Sequence, residues 1–256
     1  MVLKAIFLEF RGVLIDDRLT QSTVMQHLLL DQNLSLNPQE YEDLIREEDD
    51  RSCLQILLER RGRFNTLEEL NQLLQKRFDW TLESWQHPSS ASPVSEKQSL
   101  EAIEKPRSCL LLPDIKDFLF RARSLSYKLV LMTSSIEREV NSVLSLEQIV
   151  PYFDLVLPGD KLPYQPIKPW AYTYAIECLN QLYPNLNLTP HNCLTIEPIY
   201  RHCDAARSVG IAVAAVSRYR PIHFLQRRAD WAVDRLTDLE FDRINASLSP
   251  SVGLRV

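Results

Sequence analysis

Two carboxylates, an arginine and a threonine stand where apolar runs give way to polar residues, and there this chain could do chemistry. Residues 3–8 are apolar apart from Lys4 and lead into Glu9-Phe10-Arg11-Gly12-Val13-Leu14. A run of this kind reads as a buried strand. A second run, 128–132, ends in Thr133-Ser134-Ser135 and is followed by a helical pattern, so that the Ser134 and Ser135 amides would face the end of the strand. Amides at a helix start form an anion site even without a metal. A third run, 193–196, ends in Glu197-Pro198-Ile199. Arg11 cannot serve as a general acid or base, because a guanidinium keeps its proton up to a pKa of about 12 or more. It would also repel a metal ion. Lys168, just before a further helical pattern, adds positive charge.

These residues support two readings. In one, Arg11, Thr133, Ser134 and Lys168 bind an anion. In the other, the groups satisfy one another, with Glu9 paired to Lys168, or to Arg11 if the backbone bends after the strand. Residues 9 and 11 share a side if the strand stays regular, and buried charges require partners.

Composition narrows the classes. The chain has 256 residues, 45% of them hydrophobic, enough for a full core and a smaller second domain. A net charge of −5 gives no general electrostatic reason to expect nucleic acid or a membrane surface as partner. The N-terminus reads as a strand rather than a secretory leader, and no transmembrane stretch is expected. The five cysteines are scattered and odd in number, which fits reduced thiols and a cytoplasmic protein. Only 5 glycines accompany 15 prolines, and no glycine-rich phosphate loop can be found.

The patterning predicts the elements that hold these residues. Within 20–80, apolar residues recur at helical spacing around Val24, Tyr41, Leu54 and Leu70, predicting four amphipathic helices, with starts at Asn37-Pro38 and Asn65-Thr66. Strands are expected at 128–132, 153–157, 193–196, 211–216 and 229–233. Helices are expected at 113–126, 137–146, 170–182 and 201–209, the last ending at Gly210 as its C′ residue. Strands alternating with helices imply an α/β, Rossmann-like parallel sheet. The domain reading is an α/β core at 1–18 and 107–256, a helical cap at 19–85, and a linker at 86–106.

The motifs, in this order, are Glu9-Phe10-Arg11-Gly12-Val13-Leu14, LLPDIKDFLFRAR, LVLMTSS, YFDLVLPGD, CLTIEPIYRHCDAARSVGIAVAAV and ADWAVDRLTDL. Together they resemble the haloacid dehalogenase-like superfamily, in particular its small-cap phosphatases of the phosphoglycolate and β-phosphoglucomutase type. The resemblance implies that core fold with an inserted helical cap. It places Glu9 where the family has a nucleophilic, Mg²⁺-binding Asp and Arg11 where it has a general acid/base Asp. Thr133 falls at the phosphate-binding hydroxyl, Glu197 at a retained acidic position, and Pro198 at a metal-binding Asp. The family lysine aligns with Pro166, with Lys168 two residues later. The resemblance therefore implies the fold, while the substitutions argue against the usual chemistry.

Other features carry bland readings. His191, Cys193, His202 and Cys203 fit no zinc spacing and read as core thiols and surface histidines. Asp16 and Asp17 could be recruited as ligands, but a structural role is favoured. Arg218-Tyr219-Arg220 and Arg227-Arg228 read as a solvated basic face, and Trp80 and Trp85 as packing residues. The functional expectation is a pseudophosphatase: no resident metal or cofactor, and a role in binding a protein partner or sensing an anionic metabolite. The alternative is an active Mg²⁺-dependent phosphate-ester hydrolase that uses Glu9.

Overall fold

The apolar runs pair into one parallel sheet. The computed structural model describes residues 2–45, 48, 50–86, 111–162 and 169–248. The strands are β1 (Ala5–Leu8), β2 (Lys128–Met132), β3 (Leu155–Leu157), β4 (Cys193–Glu197), β5 (Ala212–Val216) and β6 (Trp231–Val233), in the order β3-β2-β1-β4-β5-β6. The helices are α1 (Arg18–Asp31), α2 (Pro38–Ile45), α3 (Asp50–Glu59), α4 (Leu67–Gln86), α5 (Ile115–Ser124), α6 (Glu137–Leu146), α7 (Pro169–Leu182), α8 (Tyr200–Ser208), the single turn α9 (Ile222–Leu225) and α10 (Phe241–Leu248).

The chain falls into two compact units, one formed by Met1–Asp16 with Leu111–Val256 and the other by Asp17–Leu110. The first holds the sheet. Every residue of β1 is buried, as a central parallel strand covered on both faces requires. Side chains alternate between the faces. Ala5 and Phe7 of β1, Val130 and Met132 of β2, Cys193 of β4, and Val213 and Ala215 of β5 point to one side. There they pack with Ala171, Tyr172 and Ala175 of α7 and Cys203 and Ala206 of α8. β1 is the point from which the chain winds outward in both directions, and in such sheets the crevice lies at the carboxyl ends of the strands around that point.

The second unit is helical and has its own core. Met25, Leu28 and Leu29 of α1, Tyr41 and Leu44 of α2, Leu54, Leu57 and Leu58 of α3, and Leu70 and Leu74 of α4 form one cluster, against which Trp80 packs. Asn37 opens α2 by accepting the Gln39 amide at 3.0 Å. Thr66 opens α4 in a reciprocal cap: its Oγ1 accepts the Glu69 amide at 3.2 Å, and its own amide donates to Glu69 Oε2 at 2.7 Å. Arg77 is buried here, bonded to Gln21 and paired with Asp50 at 3.0 Å. Gln21 Nε2 donates to Asp17 Oδ2 at 2.7 Å, so Asp17 is committed within this unit.

Several boundaries differ from the sequence expectation. α5 begins at Ile115 rather than 113, with Asp114 before it accepting the Leu236 amide at 2.5 Å. β3 begins at Leu155 rather than 153, after a 3₁₀ turn at 150–152. α9 and α10 were not expected. The stretch 87–106 of the expected linker, Cys109, and the segment holding Pro166 and Lys168 lie outside the described residues.

Candidate functional site

Register places two carboxylates side by side. Leu8 of β1 is opposite Ile196 of β4, so Glu9 and Glu197 follow as neighbours at the ends of adjacent strands. The Glu9 amide donates to the Ile196 carbonyl at 3.3 Å, which holds this alignment one residue beyond β1. Glu9 and Glu197 continue the alternation of Phe7 and Thr195, and so face the side covered by α7 and α8. Both are buried, with 5% and 2% exposure.

The side chains waiting there are Tyr172 of α7 and His202 of α8. Tyr172 donates its hydroxyl to Glu197 Oε1 at 2.7 Å, and Thr195 donates to the same oxygen at 2.8 Å. His202 Nδ1 lies 3.2 Å from Glu197 Oε2 and 3.6 Å from Glu9 Oε2. The other Glu9 oxygen, Oε1, accepts the Phe10 amide at 2.8 Å. Burial first, then the Glu197 charge, push the Glu9 carboxyl up to about 7 against the opposing pull of His202 and of hydrogen bonds from Thr133 and Phe10. Burial and Glu197 likewise push the Tyr172 phenol well above its ordinary range.

His202 was expected at the surface and is buried. A sequence signal did exist. His202, Cys203, Ala205 and Ala206 are the inward residues of α8, at helical spacing, so His202 lies on the stripe that faces the sheet. His191 is exposed, as expected.

Arg11 takes another direction. The strand ends before it: Leu14 and Ile15 both donate backbone amides to the Phe10 carbonyl, at 2.9 and 3.1 Å, and Gly12 donates to Ile15 at 2.8 Å. This turn breaks the alternation, so residues 9 and 11 do not share a side. The Arg11 guanidinium pairs with Glu139 of α6, and its Nε donates to Ser135 Oγ at 3.3 Å. Glu139 is fully buried. The acidic partner of Arg11 is thus Glu139, 128 residues away along the chain, and not Glu9.

Thr133 follows β2 and is buried. Its Oγ1 accepts the Ser135 amide at 3.2 Å, and its hydroxyl bonds Glu9. The first amide of α6, on Glu137, donates to Asp160 Oδ1 at 2.8 Å. Ser134 is partly exposed, and its carbonyl packs so closely on Gly159 that a Cβ there would fall 2.4 Å from the oxygen.

Pro198 is buried beside the Glu9–Arg11 turn. Gly12 has φ +77°, which favours glycine, and a Cβ at that position would meet the Pro198 ring at 3.0 Å and Tyr219 at 2.9 Å. Carbon therefore fills the place next to Gly12. Arg218 lies 3.8 Å from Asp114 and Arg228 2.6 Å from Asp204, so both of these members of the basic run face carboxylates.

This chain belongs to the haloacid dehalogenase-like hydrolase family, whose model matches residues 6–216. Its fold is that of solved family members. A β-phosphoglucomutase from Clostridium difficile is 19% identical over 96% of this chain and 97% of its own, with a TM-score of 0.72. A predicted phosphoglycolate phosphatase from Haemophilus somnus 129PT is 19% identical over 92% and 96%, with a TM-score of 0.65. CbbY from Rhodobacter sphaeroides, solved in complex with phosphate, is 14% identical over 93% and 96%, with a TM-score of 0.68. No curated protein matches the chain. No helix among the described residues is long and apolar enough to cross a membrane.

The family typically uses Mg²⁺, which takes six hard oxygen ligands in near-ideal octahedral geometry. Here the only group of side chains among the described residues that could hold an ion is Glu9, Glu197 and His202, whose ligand atoms lie within 4.8 Å of one another. One of the three is an imidazole nitrogen, both Glu197 oxygens already accept hydrogen bonds, and Pro198 offers no side-chain oxygen. This donor set does not fit Mg²⁺.

Proposed function

We propose that this protein is a pseudophosphatase of its family, with a non-catalytic role in binding a protein partner. The observation that supports this most strongly is the replacement of two acidic positions: the Pro198 ring packs against Gly12, and Arg11 is committed to Glu139. In-line attack on a phosphate needs an ionised nucleophile and a cation to neutralise the phosphoryl oxygens. Burial and the neighbouring Glu197 charge raise the Glu9 pKa, which lowers the share of the nucleophilic carboxylate form.

A protein partner is favoured over an anionic metabolite because several of the expected anion donors are engaged. Thr133 bonds Glu9, the Ser135 amide bonds Thr133, and Asp160 takes the first amide of α6. Anion sensing through Arg11, Thr133, Ser134 and Lys168 is the second reading, supported by the small exposed part of the Arg11 side chain. The test is a hydrolysis assay with p-nitrophenyl phosphate and phosphoglycolate in the presence of Mg²⁺. The expected result is turnover no greater than that of the Glu9→Gln variant. Mg²⁺-dependent turnover that Glu9→Gln abolishes would instead establish an active hydrolase with an altered nucleophile. A rise in melting temperature with phosphate would favour the sensing reading.

A further inference from the structure

We infer that His202 is a built-in replacement for a metal cation: its imidazole holds together the two buried carboxylates that would otherwise need an ion between them. Two carboxylates on adjacent strand ends repel each other, and burial removes the water that would screen them. Such a pair is tolerated only when a proton, a cationic side chain or a metal compensates it. His202 Nδ1 lies between Glu9 Oε2 and Glu197 Oε2, at 3.6 and 3.2 Å. α8 delivers the imidazole from the inward stripe that also carries Ala205 and Ala206, so the helix itself fixes its place.

The other bonds to the two carboxylates leave this contact as the one that bridges them. Tyr172 and Thr195 bond Glu197 alone, through Oε1, and the Phe10 amide, through Oε1, and the Thr133 hydroxyl bond Glu9 alone. His202 Nδ1 approaches one oxygen of each, at 3.6 Å from Glu9 and 3.2 Å from Glu197.

The inference does not depend on the absence of hydrolysis. It is tested by a double-mutant cycle on melting temperature at fixed pH, with His202→Leu, which keeps volume and removes the ring nitrogens, and Glu9→Gln, which removes one of the two charges. Compensation predicts that His202→Leu lowers the melting temperature by several degrees, and that at least half of this loss disappears when Glu9→Gln is also present. It further predicts that millimolar Mn²⁺ raises the melting temperature of His202→Leu while leaving the wild type unchanged. If His202→Leu does not fold, a folded double variant supports the inference and an unfolded one overturns it. Equal losses in both backgrounds, with Mn²⁺ inert, would show that His202 only packs. A protein inactive towards phosphate esters but without coupling would lose this inference and keep the functional reading. An active protein with strong coupling would do the reverse.

Discussion

Arg11 is the clearest departure at the scale of single residues. It pairs with a carboxylate that is fully buried, and removing one partner of a buried pair leaves an uncompensated charge. Arg11→Ala is expected to cost about 3 kcal/mol in chemical denaturation, with part of the loss recovered in Arg11→Ala/Glu139→Gln. A variant as stable as the wild type would mean the pair contributes nothing. Glu9 gives a second prediction. Its folded pKa of about 7 lies above the ordinary 4.5, so between these values the native state keeps a proton that the unfolded chain has released. Its contribution to stability is therefore complete below about 4.5 and falls away as pH rises to about 7, by an amount on the order of 3 kcal/mol. Unfolding free energies at pH 5, 6, 7 and 8 should show this decline in the wild type and a shallower one in Glu9→Gln. Parallel profiles would contradict it.

At the scale of elements, the parallel register brings the site together and two close approaches fix its rim. The loop after β3 carries both Gly159, pressed on the Ser134 carbonyl, and Asp160, which caps α6. Gly159→Ala must move that loop and loosen the cap, at an expected cost of about 1–3 kcal/mol. Urea denaturation reads this directly, and an unchanged midpoint would show that the loop yields freely. Much at this scale was legible in the sequence. The runs at 128–132 and 137–146 become β2 and α6 with those bounds, and the helical spacing around Val24, Tyr41, Leu54 and Leu70 becomes α1 to α4. Local periodicity suffices there because each element's buried face is written in its own residues. α10 carried such a pattern too, in Phe241 and Ile244, but lay beyond the last expected strand and was not assigned.

At the scale of the whole molecule, what the sequence concealed is what depends on distant partners. Glu9, Thr133 and Glu197 could be placed at strand ends because each closes its own apolar run. Glu139 as the partner of Arg11 could not, since only the turn at Phe10 sends the arginine towards α6. His202 was misplaced for a different reason: histidine is often exposed, although its helical spacing with Cys203, Ala205 and Ala206 puts it on the inward stripe of α8. The chain has a haloacid dehalogenase-like fold in which Glu9, Glu197 and His202 lie together at the strand ends and the Pro198 ring packs beside Gly12. This crevice is expected to take up no Mg²⁺. Isothermal titration of the full chain with Mg²⁺ tests this most directly. The account predicts no stoichiometric site at millimolar Mg²⁺, with heats matching those of Glu9→Gln. A one-to-one binding isotherm in the wild type that disappears in Glu9→Gln would contradict it.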